Sequence, residues 1–286
     1  LNGYLPMVLA DEISDEERIV NQDFSSPNSA GEESDKVGDS FICIKEVRPI
    51  SRAKALRLKI DDVIVGIEGK VFNGNIEELL DIFDEIDEHK GALLTIWRDG
   101  IVFNLIIYGP LGCIFEFTPD DITKRLHDLL SNFETGDVSE YVTFELLRNI
   151  KNECDVFDTR VSQLGIFLPP VWLIQQRLWE PLVATLAIYA VTLSVHWALF
   201  VIASILLALY FRKAQLVLLR SFSLHKEKQM WMIIAAKSMF DAQKIARSFD
   251  AKVTFRPDLI GPPPPPDIDS VKKRKKKNRK SAVPGM

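Results

Sequence analysis

Lys272, Lys273, Arg274, Lys275, Lys276, Lys277, Arg279 and Lys280 place eight cations in nine consecutive positions near the C-terminus. That density suits contact with several phosphates at once, on a lipid surface or on a nucleic acid. A solvated tail with no fixed partner is the alternative. A long apolar run upstream supplies a tether that keeps the adjacent leaflet at high local concentration, so anionic lipid is the expected ligand rather than nucleic acid. Other reactive groups are sparse. Cys43, Cys113 and Cys154 lie far apart with no CxxC, a pattern that fits neither a disulfide framework nor a zinc site and agrees with a reducing compartment. None of the four histidines belongs to an HExxH, and GxSxG, P-loop and GxGxxG patterns are absent from the sequence. The chemistry those motifs perform is therefore not expected. The acid pairs Asp61–Asp62 and Glu77–Glu78 suit a solvated turn and a helix face better than a catalytic dyad. The reading is of a non-enzyme without cofactor or metal.

The elements that must carry these groups divide by composition. Residues 1–39 hold ten acidic and two basic side chains and too little apolar surface to offset ordering entropy, so an acidic disordered leader is expected. The chain opens on Leu1 rather than Met, as expected of a processed or partial chain. Residues 40–117 read as a folded unit. "SFICIKEV" is β-rich, "ISRAKALRL" suits a short helix, and "DDVIVGIEGKVF" gives a strand, a turn at Glu68–Gly69 and a second strand start,. "NIEELLDIFDEI" sets Ile76, Leu79, Leu80, Phe83 and Ile86 on one helical face behind Asn75 as N-cap,. "ALLTIWRDGIVFNLIIY" is a hairpin around Asp99–Gly100, a favoured type I′ pair,.

This order and these residues resemble a PDZ domain, of the bacterial and organellar variety found in high-temperature-requirement proteases. The resemblance covers residues 40–117 and rests on Val47, Pro49, Ser51 and Ala53, then Leu58, Asp61–Asp62, Ile64, Ile67 and Gly69, then Arg98 and Gly100. Two family glycines are replaced, by Arg57 before Leu58 and by Asp61 before Asp62. A positive φ there would cost a non-Gly residue. The resemblance implies an α+β fold, a small PDZ-like β-sandwich or partial barrel with two helices. It also implies a groove where an extended partner adds a strand to a sheet edge and leaves its carboxylate in a nest of backbone N–H groups. The family's Gly-Leu-Gly-hydrophobic loop has its counterpart in Gly109–Pro110–Leu111–Gly112–Cys113–Ile114. Gly109, Leu111, Gly112, Cys113 and Ile114 are thus either the peptide-binding cradle or an ordinary exit turn, in which Pro110 removes one donor. The family's protease motifs are not found in these residues, so the expectation is of the recognition module without the enzyme.

Residues 118–168 read as a helical linker. Thr118 is the expected N-cap with Pro119 at the first position; Ile122, Leu126, Leu129, Leu130 and Phe133 follow at helical spacing. A second helix is expected from Ser139 to Leu164, with Val142, Leu146, Ile150 and Val161 on its apolar face. Residues 169–181 read as an interfacial segment anchored by Trp172 and Trp179. Leu182 to Phe211 is thirty residues without formal charge, a membrane segment. As one helix it would be about 45 Å long against a hydrocarbon core of about 30 Å, needing a tilt near 48°. It is a hairpin folded at Ser194–His196 or a single tilted span. Basic residues crowd its C-terminal flank (Arg212, Lys213, Arg220, Lys226, Lys228 against Arg177), which marks that side as cytoplasmic or its organellar equivalent. With no export signal in view, the hairpin is favoured, with both flanking regions on that side. Residues 212–256 read as a juxtamembrane helical region, with Met232, Ala235, Ala236, Met239, Ala242 and Ala246 on one face. Residues 257–286 form a Pro-rich spacer and the polybasic tail. The functional expectation is a membrane-anchored scaffold or adaptor that docks a protein partner. The alternatives are an assembly subunit of a larger membrane complex or a regulatory partner of a membrane protease.

Overall fold

The computed structural model describes residues 40–130 and 136–263. Tight turns set the first part of the sheet. Strands β1 (Ile42–Val47), β2 (Val63–Ile67), β3 (Lys70–Val71), β4 (Ala92–Arg98), β5 (Ile101–Ile107) and β6 (Cys113–Phe117) carry two helices, α1 (Arg52–Ala55) and α2 (Ile76–Glu85). Glu68–Gly69 and Asp99–Gly100 both sit at positive φ, as a two-residue I′ hairpin loop requires. The cost foreseen at the replaced glycines is present: Arg57 has φ 60° and Asp61 φ 68°. What holds them there is Asp62. Its buried carboxylate takes the Arg98 guanidinium in a two-pronged pair at 2.5 Å and the Lys59 amide at 2.7 Å. Arg98 also donates to the Arg57 carbonyl at 3.1 Å, so one buried pair closes the strained loop.

Both faces of this part are covered. Ile42, Ile44, Ile64, Ile96 and Leu105 face Leu79 and Phe83 of α2 on one side. Phe41, Cys43, Val63 and Val65 face Leu126 and Leu130 of α3 (Asp120–Leu130) on the other. Ile122 joins them, Leu129 is exposed, and Phe133 lies outside the described residues. Thr118 is buried but its hydroxyl has no hydrogen-bond partner, so the expected cap bond is not made.

The expected helix Ser139–Leu164 is instead a 3-10 turn (Val138–Glu140), strands β7 (Val142–Arg148) and β8 (Glu153–Asp158), and a short helix α4 (Gln163–Phe167). Positions 142 and 146 share a face in a strand as well as in a helix, and the aromatic and β-branched run "VTF" tips the balance. Ile150 is exposed in the connecting turn. The expected helical face from Met232 likewise divides into β9 (Gln229–Ala236) and α8 (Met239–Phe249). Met232, Ile234 and Ala236 point to one side of β9, and Ala235 to the other, against Leu93 and Ile106. Ser238, accepting from the Asp241 amide, starts the helix only after the strand is complete,.

The strands join in the order β10–β8–β7–β9–β5–β4–β2–β1–β6, with β10 spanning Thr254–Arg256 and β3 appended to β2. Among the described strands only β8 and β10 run parallel. The result is a mixed α+β fold, a ten-stranded and mostly antiparallel sheet with eight helices among the described residues. It is larger than the small sandwich expected. The two parts meet where β5 pairs with β9 at Asn104 and Ala235. Across that seam Phe249 of α8 meets Phe103 edge-on at 5.5 Å.

Between β8 and β9 the chain leaves the sheet through α5 (Pro169–Gln175), α6 (Trp179–Val195) and α7 (Trp197–His225). His196 breaks the uncharged run: extended at φ −165°, its Nδ1 accepts the Ala198 amide at 3.1 Å. α7 is long and apolar enough to cross a membrane. Trp172 is not an interface anchor but a core residue, 2 % exposed and edge-on to Phe211, whereas Trp179 is exposed.

The lower half of α7 is riveted to the sheet. Gln215, Leu219 and Ser223 are buried at helical spacing. The Gln215 amide donates to the Ser162 carbonyl and accepts its N–H, both at 2.9 Å. Glu145 of β7 pairs with Arg220, and Asp155 of β8 takes Lys228 at 2.7 Å and the Ser223 hydroxyl at 3.1 Å. On these strands Phe144, Leu146, Cys154 and Val156 turn the other way, to α8. Lys228 is buried, so Asp155→Ala strands its charge and is expected to cost about 3–5 kcal/mol in thermal or urea unfolding of the full chain in micelles. Arg57→Gly should act oppositely: it relieves a positive φ at an exposed side chain and should raise stability by about 1 kcal/mol in the same assay.

Candidate functional site

β6 is the last strand of the sheet; among the described residues its outer edge has no strand neighbour. Such an edge presents unpaired backbone donors and acceptors. Three features surround it. The first is the turn that launches it. Gly109 (φ 133°) and Gly112 (φ 68°) occupy conformations that suit glycine, and Leu111 between them is buried,. The Leu111 carbonyl accepts the Ala53 amide of α1 at 2.8 Å, which fixes the turn to that helix. Cys113 then pairs with Val47, and Ile114 with Glu46, in the antiparallel β1–β6 ladder.

The second feature is charge. Arg52 donates to the Tyr108 carbonyl at 2.9 Å, and a Cβ on Gly109 would stand 2.3 Å from its Nη1. The guanidinium therefore lies against the turn, with only a loose 3.8 Å contact to Glu88. Arg48 follows Val47, the ladder partner of Cys113, and burial pushes the Cys113 thiol up to about 12. Two arginines flanking a glycine turn make a site that favours an anion.

The third feature is α2. Asn75 caps its start by accepting the Glu77 amide, and Phe83 packs on Phe115 with ring centroids 6.2 Å apart. Ile114 on β6 and Leu80 on α2 are exposed apolar side chains of these two elements.

The five residues Gly109, Leu111, Gly112, Cys113 and Ile114 thus run from the turn into the edge strand. The sequence reading missed Arg48 and Arg52, although they occupy the variable positions of the Val47–Ala53 stretch. The tail cations Lys272 to Lys280 lie outside the described residues.

Burial also raises Cys43 to about 11 and Cys154 to about 12, each with a nearby carboxylate as a lesser cause. A raised thiol favours the folded state fully below its ordinary value of 9.0, and that contribution falls away as pH rises through about 11–12,. At pH 8 the folded protein should therefore resist iodoacetamide at all three cysteines and take up three labels on unfolding, as intact-mass measurement would register. No family model and no curated protein sequence matches the chain.

Proposed function

We propose that this chain is a membrane-anchored, PDZ-like docking module. It would bind the C-terminal segment of a protein partner along the β6 edge, with the partner's carboxylate in the Gly109–Gly112 turn. One observation carries the reading: the terminal strand of the sheet begins at a glycine turn flanked by Arg48 and Arg52 and lies beside α2. Strand addition supplies main-chain hydrogen bonds, and apolar pockets for alternate side chains supply selectivity. The Phe115–Phe83 contact and the exposed Leu80 give those pockets an apolar lining.

The membrane part of the reading rests on α6 and α7. Their outward side chains, Val183, Leu186, Val191, Leu193, Leu199, Ile202, Ile205 and Leu206, are exposed and apolar, a surface that water does not favour. The break at His196 supports a hairpin, which would leave both flanking regions on the cytoplasmic or organellar-equivalent side.

Two measurements test this. In sealed vesicles, protease added from one side should reach residues 40–168 and 212–286 alike; digestion of one region with survival of the other would replace the hairpin by a single span. In micelles, the full chain should bind some labelled peptides with a free C-terminal carboxylate and an apolar last residue at least tenfold more tightly than their amides. Gly112→Val should abolish that difference, because φ 68° is costly for a β-branched residue,. Equal affinity for acids and amides across the panel would sink the docking site.

A further inference from the structure

The base of the hairpin holds a second site. A cleft of about 910 Å³ opens between α7, the loop after β8 and α5. Five cations line it: Arg160, Arg212, Lys213, Arg220 and Arg256. Three are neutralised by Asp158, Glu145 and Glu153 respectively. Arg212 and Lys213 are exposed and have no carboxylate partner among the described residues. Their position is informative. They follow directly on Phe211, the last residue of the uncharged run. The arm from Trp197 to Phe211 is about 22 Å long at 1.5 Å per residue, so the pair sits at the depth where long basic side chains reach the headgroups. A second hollow of about 550 Å³, towards the apolar arm of α7, shares both cations and adds Leu209 and Tyr210. An anionic headgroup on one side of Arg212–Lys213 and an acyl chain on the other would meet the matching chemistry in both.

We propose that this cleft binds the phosphate of an anionic glycerophospholipid, held by Arg212 and Lys213, with its acyl chain along Leu209 and Tyr210. Two unpaired cations match one phosphodiester and a second negative or polar headgroup group. The Ser162 main chain is already engaged by Gln215, so the cleft wall is fixed before a lipid arrives. Specific lipid at this point would pin the hairpin at a set depth, independently of the polybasic tail. The proposal rests on the membrane reading of α6 and α7, but its test does not require insertion, since a short-chain lipid binds as a monomer in micelles. Failure of the vesicle experiment and failure of this one are separate results.

The test titrates dihexanoyl phosphatidylglycerol, dihexanoyl phosphatidylcholine and inorganic phosphate into the full-length protein in a neutral maltoside detergent. Tryptophan fluorescence is the readout, since Trp172 lines the cleft. Arg212→Gln/Lys213→Gln should weaken phosphatidylglycerol binding at least tenfold with an unchanged unfolding midpoint. A variant with Lys272 to Lys280 neutralised to Gln should still bind saturably, which separates the cleft from the tail. Should the double variant fail to fold, Arg212→Gln and Lys213→Gln singly should each weaken binding several-fold. Absence of saturable binding, equal binding by the wild type and the cleft variants, or phosphatidylcholine binding as tightly as phosphatidylglycerol would overturn the proposal. Inorganic phosphate competing at the same concentration as the lipid would overturn the lipid assignment and leave a free-phosphate site.

Discussion

Two partly buried ion pairs, Glu145–Arg220 from α7 and Asp155–Lys228 from the turn just after it, anchor the end of the helix to β7 and β8. An ion pair in the interior offsets the cost of desolvating its charges only when the geometry is good and further hydrogen bonds are made. Both conditions are met at Asp155, which also takes the Ser223 hydroxyl. The consequence is steric as well as electrostatic. The pairs set the height of the helix against the sheet, and the Gln215–Ser162 clamp then orients α4. Gly165 belongs to the same arrangement: a Cβ there would lie 2.6 Å from the Gln215 amide, so the helix approaches as closely as glycine permits.

Because of that fixing, one helix has two characters. From Gln215 to Ser223 its buried face is polar and apolar in turn and belongs to the protein. From Trp197 to Tyr210 its side chains are largely exposed and apolar. The change falls at Phe211–Arg212–Lys213, where the buried Phe211 is followed by two cations without a carboxylate partner among the described residues. The sheet between the hairpin and the β6 edge is continuous, and α8 covers its seam. The β6 edge is therefore carried by the same body that holds the root of the hairpin.

The sequence was legible where local chemistry decides the structure. Asp99–Gly100, Glu68–Gly69, the Asn75 cap and the buried face of α2 all follow from residue type and spacing. The positive φ at Arg57 and Asp61 was legible too, because a motif position demanded it. Illegible were the segments whose partners lie far away in sequence. Val142, Phe144 and Leu146 form a strand that pairs locally with β8, but its second ladder partner is β9, more than eighty residues later. Trp172 looked like an interface anchor because its partner Phe211 lies across the hairpin. The two arginines of the candidate site were hidden for the same reason: Arg52 reaches the Gly109 turn, and Arg48 comes next to the Val47–Cys113 pair, only after β1 and β6 join.

If the lower half of α7 and the sheet form one cooperative unit, the hairpin and the β6 edge open together. Native-state hydrogen exchange of the full chain in micelles tests it most directly. The amides of residues 215–225 should exchange with the same opening free energy as those of β7, β8 and β9, and Asp155→Ala should lower all of them together. Exchange of residues 215–225 on its own, at a lower free energy and without response to that substitution, would show that the hairpin root is not part of the sheet's folding unit and would contradict the account.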